Sequence, residues 1–172
     1  MIKRTIKTAR LTLSPLEERD LEDVLAIITD PTVKKTYMLP DFPDRESAVR
    51  LFRRLLALSG EERHYIVGIR LGDRLIGFIN DTEISEDGRS LELGWAFNPE
   101  FYGQGYATEA VTAIIDYLFG EGFSEVTAGA FESNLASQRV MEKSGMVRVD
   151  KVDEIDYRGE THRCVYYSKK AQ

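Results

Sequence analysis

The chain has 172 residues, 42% hydrophobic and 30% charged, with 29 acidic against 23 basic side chains and a formal charge of −6. That is the size and usage of one globular domain with a full core, and it excludes a collagen, a disulfide miniprotein and a disordered tail. An acidic chain without a basic tract is a poor match for a phosphate backbone, so no nucleic-acid partner is expected; backbone amides can still hold a small anion.

The single Cys164 can form no intramolecular disulfide, which suits a reducing compartment. His64 and His162 show no ligand spacing, so no metal is expected. Residues 1–7 carry charges with no apolar run behind them and read as no leader. No stretch approaches the roughly 20 apolar residues of a membrane span. The expectation is a soluble, cytoplasmic, single domain over residues 1–172, with no membrane partner.

Residues 10–14 alternate as a strand does, and Pro15 stops it. Leu21, Val24, Leu25 and Ile28 form a helical stripe that ends at Asp30-Pro31. Asp44 is placed to cap a second helix to about residue 58, with Val49, Leu51, Phe52, Leu55 and Leu56 buried. Strands follow over 64–71, 74–84 and 89–97, separated by turns at Gly72-Asp73 and Asp87-Gly88. A helix runs from the Gly103-Gln104-Gly105 loop to about residue 119. A strand over 126–131 and a short helix over 135–143, stopped by Gly145, come next. Residues 146–157 and 161–168 form a last hairpin around Arg158-Gly159. The order predicts an α/β (α+β) fold: a mixed, mostly antiparallel central sheet of about seven strands with helices on both faces. Hairpins in the middle exclude a TIM barrel.

Residues 91–110 carry the most chemistry. A helix start leaves about four amide N–H groups unpartnered and about half a positive charge, and glycines let a phosphate come close. The Walker pattern fails, because Gly105 is followed by Tyr106 and Ala107 rather than Lys and Ser/Thr. The dinucleotide pattern lacks its third glycine at Thr108 and its strand–helix–strand start, which argues against an oxidoreductase using NAD(P)H. A glycine turn that merely starts a helix is the plain alternative. Alternation puts Glu92, Gly94 and Ala96 on one strand face, a carboxylate beside two small residues. That suits a general base in an open cleft, and equally a solvated edge acid. Asp81 and Glu83 share a face and are expected to meet solvent. Arg139 and Lys143 read as a solvated basic face, Trp95 as core, and Cys164 as a buried or half-buried thiol.

Three stretches stand out together. The first is Thr8-Ala9-Arg10-Leu11-Thr12-Leu13. The second is Glu92-Leu93-Gly94-Trp95, then Pro99 and Tyr102-Gly103-Gln104-Gly105-Tyr106-Ala107-Thr108-Glu109-Ala110. The third is Asn134-Leu135-Ala136-Ser137-Gln138-Arg139-Val140-Met141-Glu142-Lys143-Ser144-Gly145-Met146, and the closing Tyr157-Arg158-Gly159-Glu160 turn fits as well. In these stretches the chain resembles the GNAT superfamily of acyl-CoA-dependent N-acetyltransferases, and within it the ribosomal-protein-alanine N-acetyltransferase-like branch.

The resemblance implies the acyl-CoA N-acyltransferase (GNAT) fold, with acetyl-CoA as co-substrate. Amides of Gln104, Gly105, Tyr106, Ala107 and Thr108 would hold the pyrophosphate. The strand ending at Ala96 and Phe97 would pair with the pantetheine arm, in a gap where it splays from the strand over 126–131. Asn134 would bond the pantetheine, and Ser137 would lie near the thioester sulfur. Two positions depart from the pattern. Tyr102 stands where Gln or Arg is usual in the loop, and Met141 stands where a proton-donating tyrosine is common.

The implied reaction is direct attack of a primary amine, a protein N-terminal α-amine or a small molecule, on acetyl-CoA. The amine must be neutral. An α-amine of pKa about 7.7–8.0 is roughly a tenth neutral at pH 7, and a lysine far less. Mild help from a base therefore suffices, and Glu92 is the candidate. Met141 keeps a second class open, an acyl-CoA-binding sensor without turnover. A homodimer is the assembly the resemblance suggests.

Overall fold

The computed structural model describes Ile2 and residues 4–172. Of the start read as no leader, Met1 and Lys3 lie outside the described residues. Among the described residues, eight strands form one mixed sheet in the order β1-β2-β3-β4-β5-β6-β8-β7, mostly antiparallel, with β5 and β6 parallel. The strand beyond the expected seven is β1 (Ile6–Lys7), whose two residues pair with Leu13 and Thr12 of β2 (Thr12–Ser14). Two residues are too few for alternation to signal a strand. The contacts fall into two compact units, Met1–Asp81 with Trp95–Tyr106, and Thr82–Gly94 with Ala107–Gln172. The strands β4 (Arg74–Ile84) and β5 (Ser90–Phe97) run through both.

In the first unit, β1, β2, β3 (Val67–Leu71) and the start of β4 pair antiparallel. The helix α1 (Leu21–Ile28) buries Val24, Leu25, Ile27 and Ile28. Asp30-Pro31 ends it as expected and at once starts another helix, α2 (Pro31–Lys34). The Asp30 carboxylate accepts from Thr32 N at 2.7 Å and Val33 N at 3.2 Å, and proline is free of a donor it would waste there. Asp44 caps α3 (Arg45–Ser59), accepting from Ser47 N at 2.8 Å. Of the apolar stripe read for α3, Phe52 is fully buried, and Val49, Leu51, Leu55 and Leu56 pack partly buried against the same core. One buried charge breaks the apolar run of β3: Arg70 is enclosed with the Asp20 carboxylate, and also donates to Ser14 Oγ at 2.5 Å. Paired in this way a charge can be buried; alone it could not.

In the second unit, β6 (Glu125–Phe131) pairs antiparallel with β8 (Glu160–Lys170), and β8 with β7 (Val147–Tyr157). The hairpin turns at Arg158-Gly159, both at positive φ (54° and 78°), the conformation that a two-residue turn matched to strand twist requires. The helices are α4 (Tyr106–Gly120), most of which belongs here, and α5 (Leu135–Lys143), whose bounds are those read from the sequence. Among the described residues, no helix is long and apolar enough to cross a membrane.

Candidate active site

The loop between β5 and α4 is built to leave amides uncovered. Asn98 accepts from Glu100 N at 3.0 Å and caps a short 3-10 turn over Pro99–Phe101. Gly105 then sits at φ +80°, where a side chain is strained. Gly105 immediately precedes Tyr106, the first residue of α4, and offers no side-chain oxygen to cap the helix. The N–H groups of Tyr106, Ala107 and Thr108 belong to the first turn, which has no intrahelical acceptors for them.

Side chains from elsewhere in the first unit brace this loop. The Arg10 guanidinium donates to the Gln104 carbonyl at 2.9 Å and lies 4.4 Å over the Tyr106 ring. Tyr106 meets Phe101 edge-on at 6.3 Å, and Arg74 lies 5.0 Å over Phe101 while donating to Glu100 at 2.9 Å. Tyr102, at the departing first position, is half exposed; burial of its other half, then the Asp30 carboxylate, pushes its phenol above the usual range. It is therefore neutral, a donor without charge.

On β5, ahead of this loop, the ladder with β6 is incomplete. β5 pairs with β6 from Ser90 opposite Glu125 to Leu93 opposite Ala128. β5 itself continues four residues further, through Ala96 and Phe97. Both of these are buried, 4% and 5% exposed, and Gly77 on β4 makes room for them: a Cβ there would lie 2.6 Å from the Phe97 ring and 2.8 Å from the Ala96 carbonyl. The open face read for Glu92, Gly94 and Ala96 therefore needs correction at Ala96. That side chain joins the core cluster of Phe78 and Phe52. Trp95, read as core, is only half-buried.

Glu92, in the second unit, is half-buried. The Thr82 hydroxyl donates to its Oε1 at 2.9 Å, which fixes the carboxylate's orientation and leaves Oε2. Its charge is felt on β8. Burial first, then Asp153 and Glu92, pushes the Cys164 thiol up, and burial with a hydrogen bond to Asp153 pushes the Tyr166 phenol up. Cys164 is thus a buried, protonated thiol, as read, and no nucleophile.

Asn134 and Ser137 are brought together at the start of α5. Asn134 Oδ1 accepts from Ser137 N at 3.2 Å, which identifies the other amide atom as nitrogen, and Nδ2 donates to Ser137 Oγ at 3.0 Å. The Ser137 oxygen is used as acceptor, so its own proton is available to a third group. Sequence reading missed that Asn134 caps this helix; asparagine three residues ahead of a serine at a helix start was the available signal. Met141 is wholly buried.

Asp81 does not meet solvent as expected. Its carboxylate, 5% exposed, accepts from Tyr65 N at 2.6 Å and lies 2.8 Å from His64 Nδ1. It closes the loop entering β3, and no pattern of period two reveals that. Glu83, Arg139 and Lys143 are exposed, as read. Among the described residues no group of His, Cys, Asp and Glu is arranged to hold a metal ion.

A family model described as an acetyltransferase (GNAT) domain matches residues 10–147. The Bacillus subtilis protein named uncharacterized N-acetyltransferase YoaA is 30% identical over 143 residues, 81% of each chain. The crystal structure of a GNAT-family acetyltransferase from Bacillus anthracis superposes at TM-score 0.83, covering 97% of this chain and 98% of its own at 28% identity. RimL, a ribosomal alpha-N-protein acetyltransferase solved with coenzyme A, reaches TM-score 0.86 over 97% and 98% of the two chains, at 14% identity a likeness of fold alone. The family match runs from ahead of β2 to the end of α5, taking in the glycine loop, Glu92 and the Asn134 cap, and stops as the last hairpin begins. On that match the chain belongs to the GNAT acetyltransferase family and is an acetyl-CoA-dependent N-acetyltransferase.

Proposed function

We propose that the chain, acting as one N-acetyltransferase domain, transfers the acetyl group of acetyl-CoA directly to a primary amine, either a protein N-terminal α-amine or a small molecule. The observation that carries this reading is the start of α4, opened by Gly105 at φ +80° with no side chain to cover its first-turn amides. In this reading the amides of Gln104, Gly105, Tyr106, Ala107 and Thr108 hold the diphosphate, and backbone groups suit an anion in a protein of net charge −6.

The end of β5 beyond Leu93, where its ladder with β6 has stopped, supports an added-strand role for Ala96 and Phe97 toward the pantetheine amides. Asn134 serves twice, as helix cap and as a donor to the same arm. Glu92, oriented by Thr82, takes the amine's proton directly or through one water. The amine lone pair attacks the thioester carbonyl carbon. A backbone N–H near Phe97 stabilises the oxyanion, the C–S bond breaks, and coenzyme A leaves as a thiolate that takes up a proton. Ser137, its oxygen engaged by Asn134 and its proton free, donates a hydrogen bond to that sulfur. A buried Met141 does neither.

The test is release of free thiol from acetyl-CoA across a panel of N-terminal peptides, polyamines and aminoglycosides. Release that depends on an added amine is expected, and Glu92→Gln lowers kcat/KM about 100-fold. Coenzyme A binding with no thiol release for any amine would overturn the reading in favour of a sensor, and an unchanged kcat/KM in Glu92→Gln would make that carboxylate a bystander.

A further inference from the structure

We infer that Arg10 is a positioning residue of the cofactor loop, fixing the amides that meet the diphosphate. This rests on the reading of residues 104–108 given above. Arg10 lies ahead of β2, 94 residues from Gln104. One guanidinium engages the loop residue Gln104 and the helix's first residue Tyr106, and lies beside Gly105 between them. Its Nη1 donates to the Gln104 carbonyl at 2.9 Å, its Nη2 lies 3.4 Å from where a Gly105 Cβ would stand, and its carbon lies 4.4 Å over the Tyr106 ring.

The consequence follows from peptide planarity. In a trans peptide the C=O and N–H point in opposite directions, and no cis bond occurs among the described residues. Turning the Gln104 carbonyl onto Arg10 therefore turns the Gly105 N–H away from Arg10. Stacking on Tyr106 fixes the first residue of α4 and with it the direction of the next amides. A loop containing Gly103 and Gly105 otherwise samples many peptide orientations, and ordering it on ligand binding would cost affinity. Arg10 orders it beforehand.

Charge adds to this. The loop's own first position is Tyr102, a neutral phenol, so Arg10 brings the positive charge to the loop from another strand's end. Lysine does not substitute, because the contact needs a donor fork and a flat face together.

The test compares acetyl-CoA with S-acetyl-pantetheine, which has the thioester and no diphosphate. Arg10→Met is expected to raise the KM for acetyl-CoA about tenfold with kcat within about twofold, and to leave kcat/KM for S-acetyl-pantetheine unchanged. Arg10→Lys recovers little, and Tyr106→Leu, which removes the stacking partner, raises the acetyl-CoA KM a few-fold. An unchanged KM in Arg10→Met, or equal losses on both donors, overturns the inference. Gly105→Val separates the two levels. If it too leaves acetyl-CoA affinity intact, the loop reading itself fails. If it weakens binding while Arg10→Met does not, only the role of Arg10 falls.

Discussion

Two helices of this protein begin in opposite ways. At α5 the residue ahead of the helix is Asn134, and its side chain accepts from Ser137 N and donates to Ser137 Oγ. At α4 it is Gly105, which has no side chain to offer. The first start is capped by its own side chain, which leaves one Asn134 amide hydrogen and the Ser137 proton for a ligand. The second leaves its first-turn amides for something else, with Arg10 bracing the loop from behind. Helix starts as such carry no function. What distinguishes them is whether the chain supplies its own cap, and at α4 it withholds one.

That contrast breaks most sharply at Gly105. Gly105→Val forces a β-branched residue to φ +80° and places carbon within reach of Arg10, so the KM for acetyl-CoA is expected to rise at least about tenfold. Circular dichroism checks that the variant is folded. Unchanged affinity there would mean that the diphosphate does not approach this loop.

Asn134→Ala attacks the other start and is expected to read mainly as stability. Losing the cap costs about 1 kcal/mol, seen as a lower melting temperature, and the acetyl-CoA KM rises less than in Gly105→Val. Asn134→Asp keeps an acceptor for Ser137 N and restores the melting temperature, but removes the amide donor, so any kinetic deficit persists. A full kinetic rescue by aspartate would leave Asn134 a cap and nothing more.

The smallest effect at neutral pH lies under α5. The one Tyr167 hydroxyl proton is shared between Gln138 Oε1 and Glu142 Oε1 of that helix, at 3.3 and 3.2 Å. Burial first, then the bond to Glu142 and its charge, pushes this phenol above its ordinary value. The unfolded chain therefore loses the proton first, near pH 10, and binds fewer protons than the folded one above that point. Stability is full below about pH 10 and falls as pH rises further. Denaturant melts from pH 7 to 11 check this, and Tyr167→Phe should lessen the alkaline decline, leaving the part due to Tyr166 and Tyr37, whose phenols burial also pushes up.

How much of this was legible from sequence depends on how local each cause is. The bounds of α5, the Asp44 cap and the Arg158-Gly159 turn follow from neighbouring residues, and the sequence reading found them. The glycine loop is likewise local, and so is its departure at Tyr102. Arg10 was visible only as part of an opening strand motif. Its place against Gln104 depends on a pairing 94 residues long that no spacing encodes. The same holds for Arg70 with Asp20, a pair the fold encloses, and for Asp81, a carboxylate it buries beside His64, where composition suggests surface charge. Thr82 escaped notice because its partner Glu92 lies across a hairpin whose register a turn signal leaves approximate.

The most direct measurement is a titration of the 15N-labelled protein with coenzyme A, followed by amide chemical shifts. The largest changes are expected at Gln104, Gly105, Tyr106, Ala107 and Thr108, with smaller ones at Asn134 and Ser137. Shifts confined to the start of α5, with the amides after Tyr102 unmoved, would contradict the account.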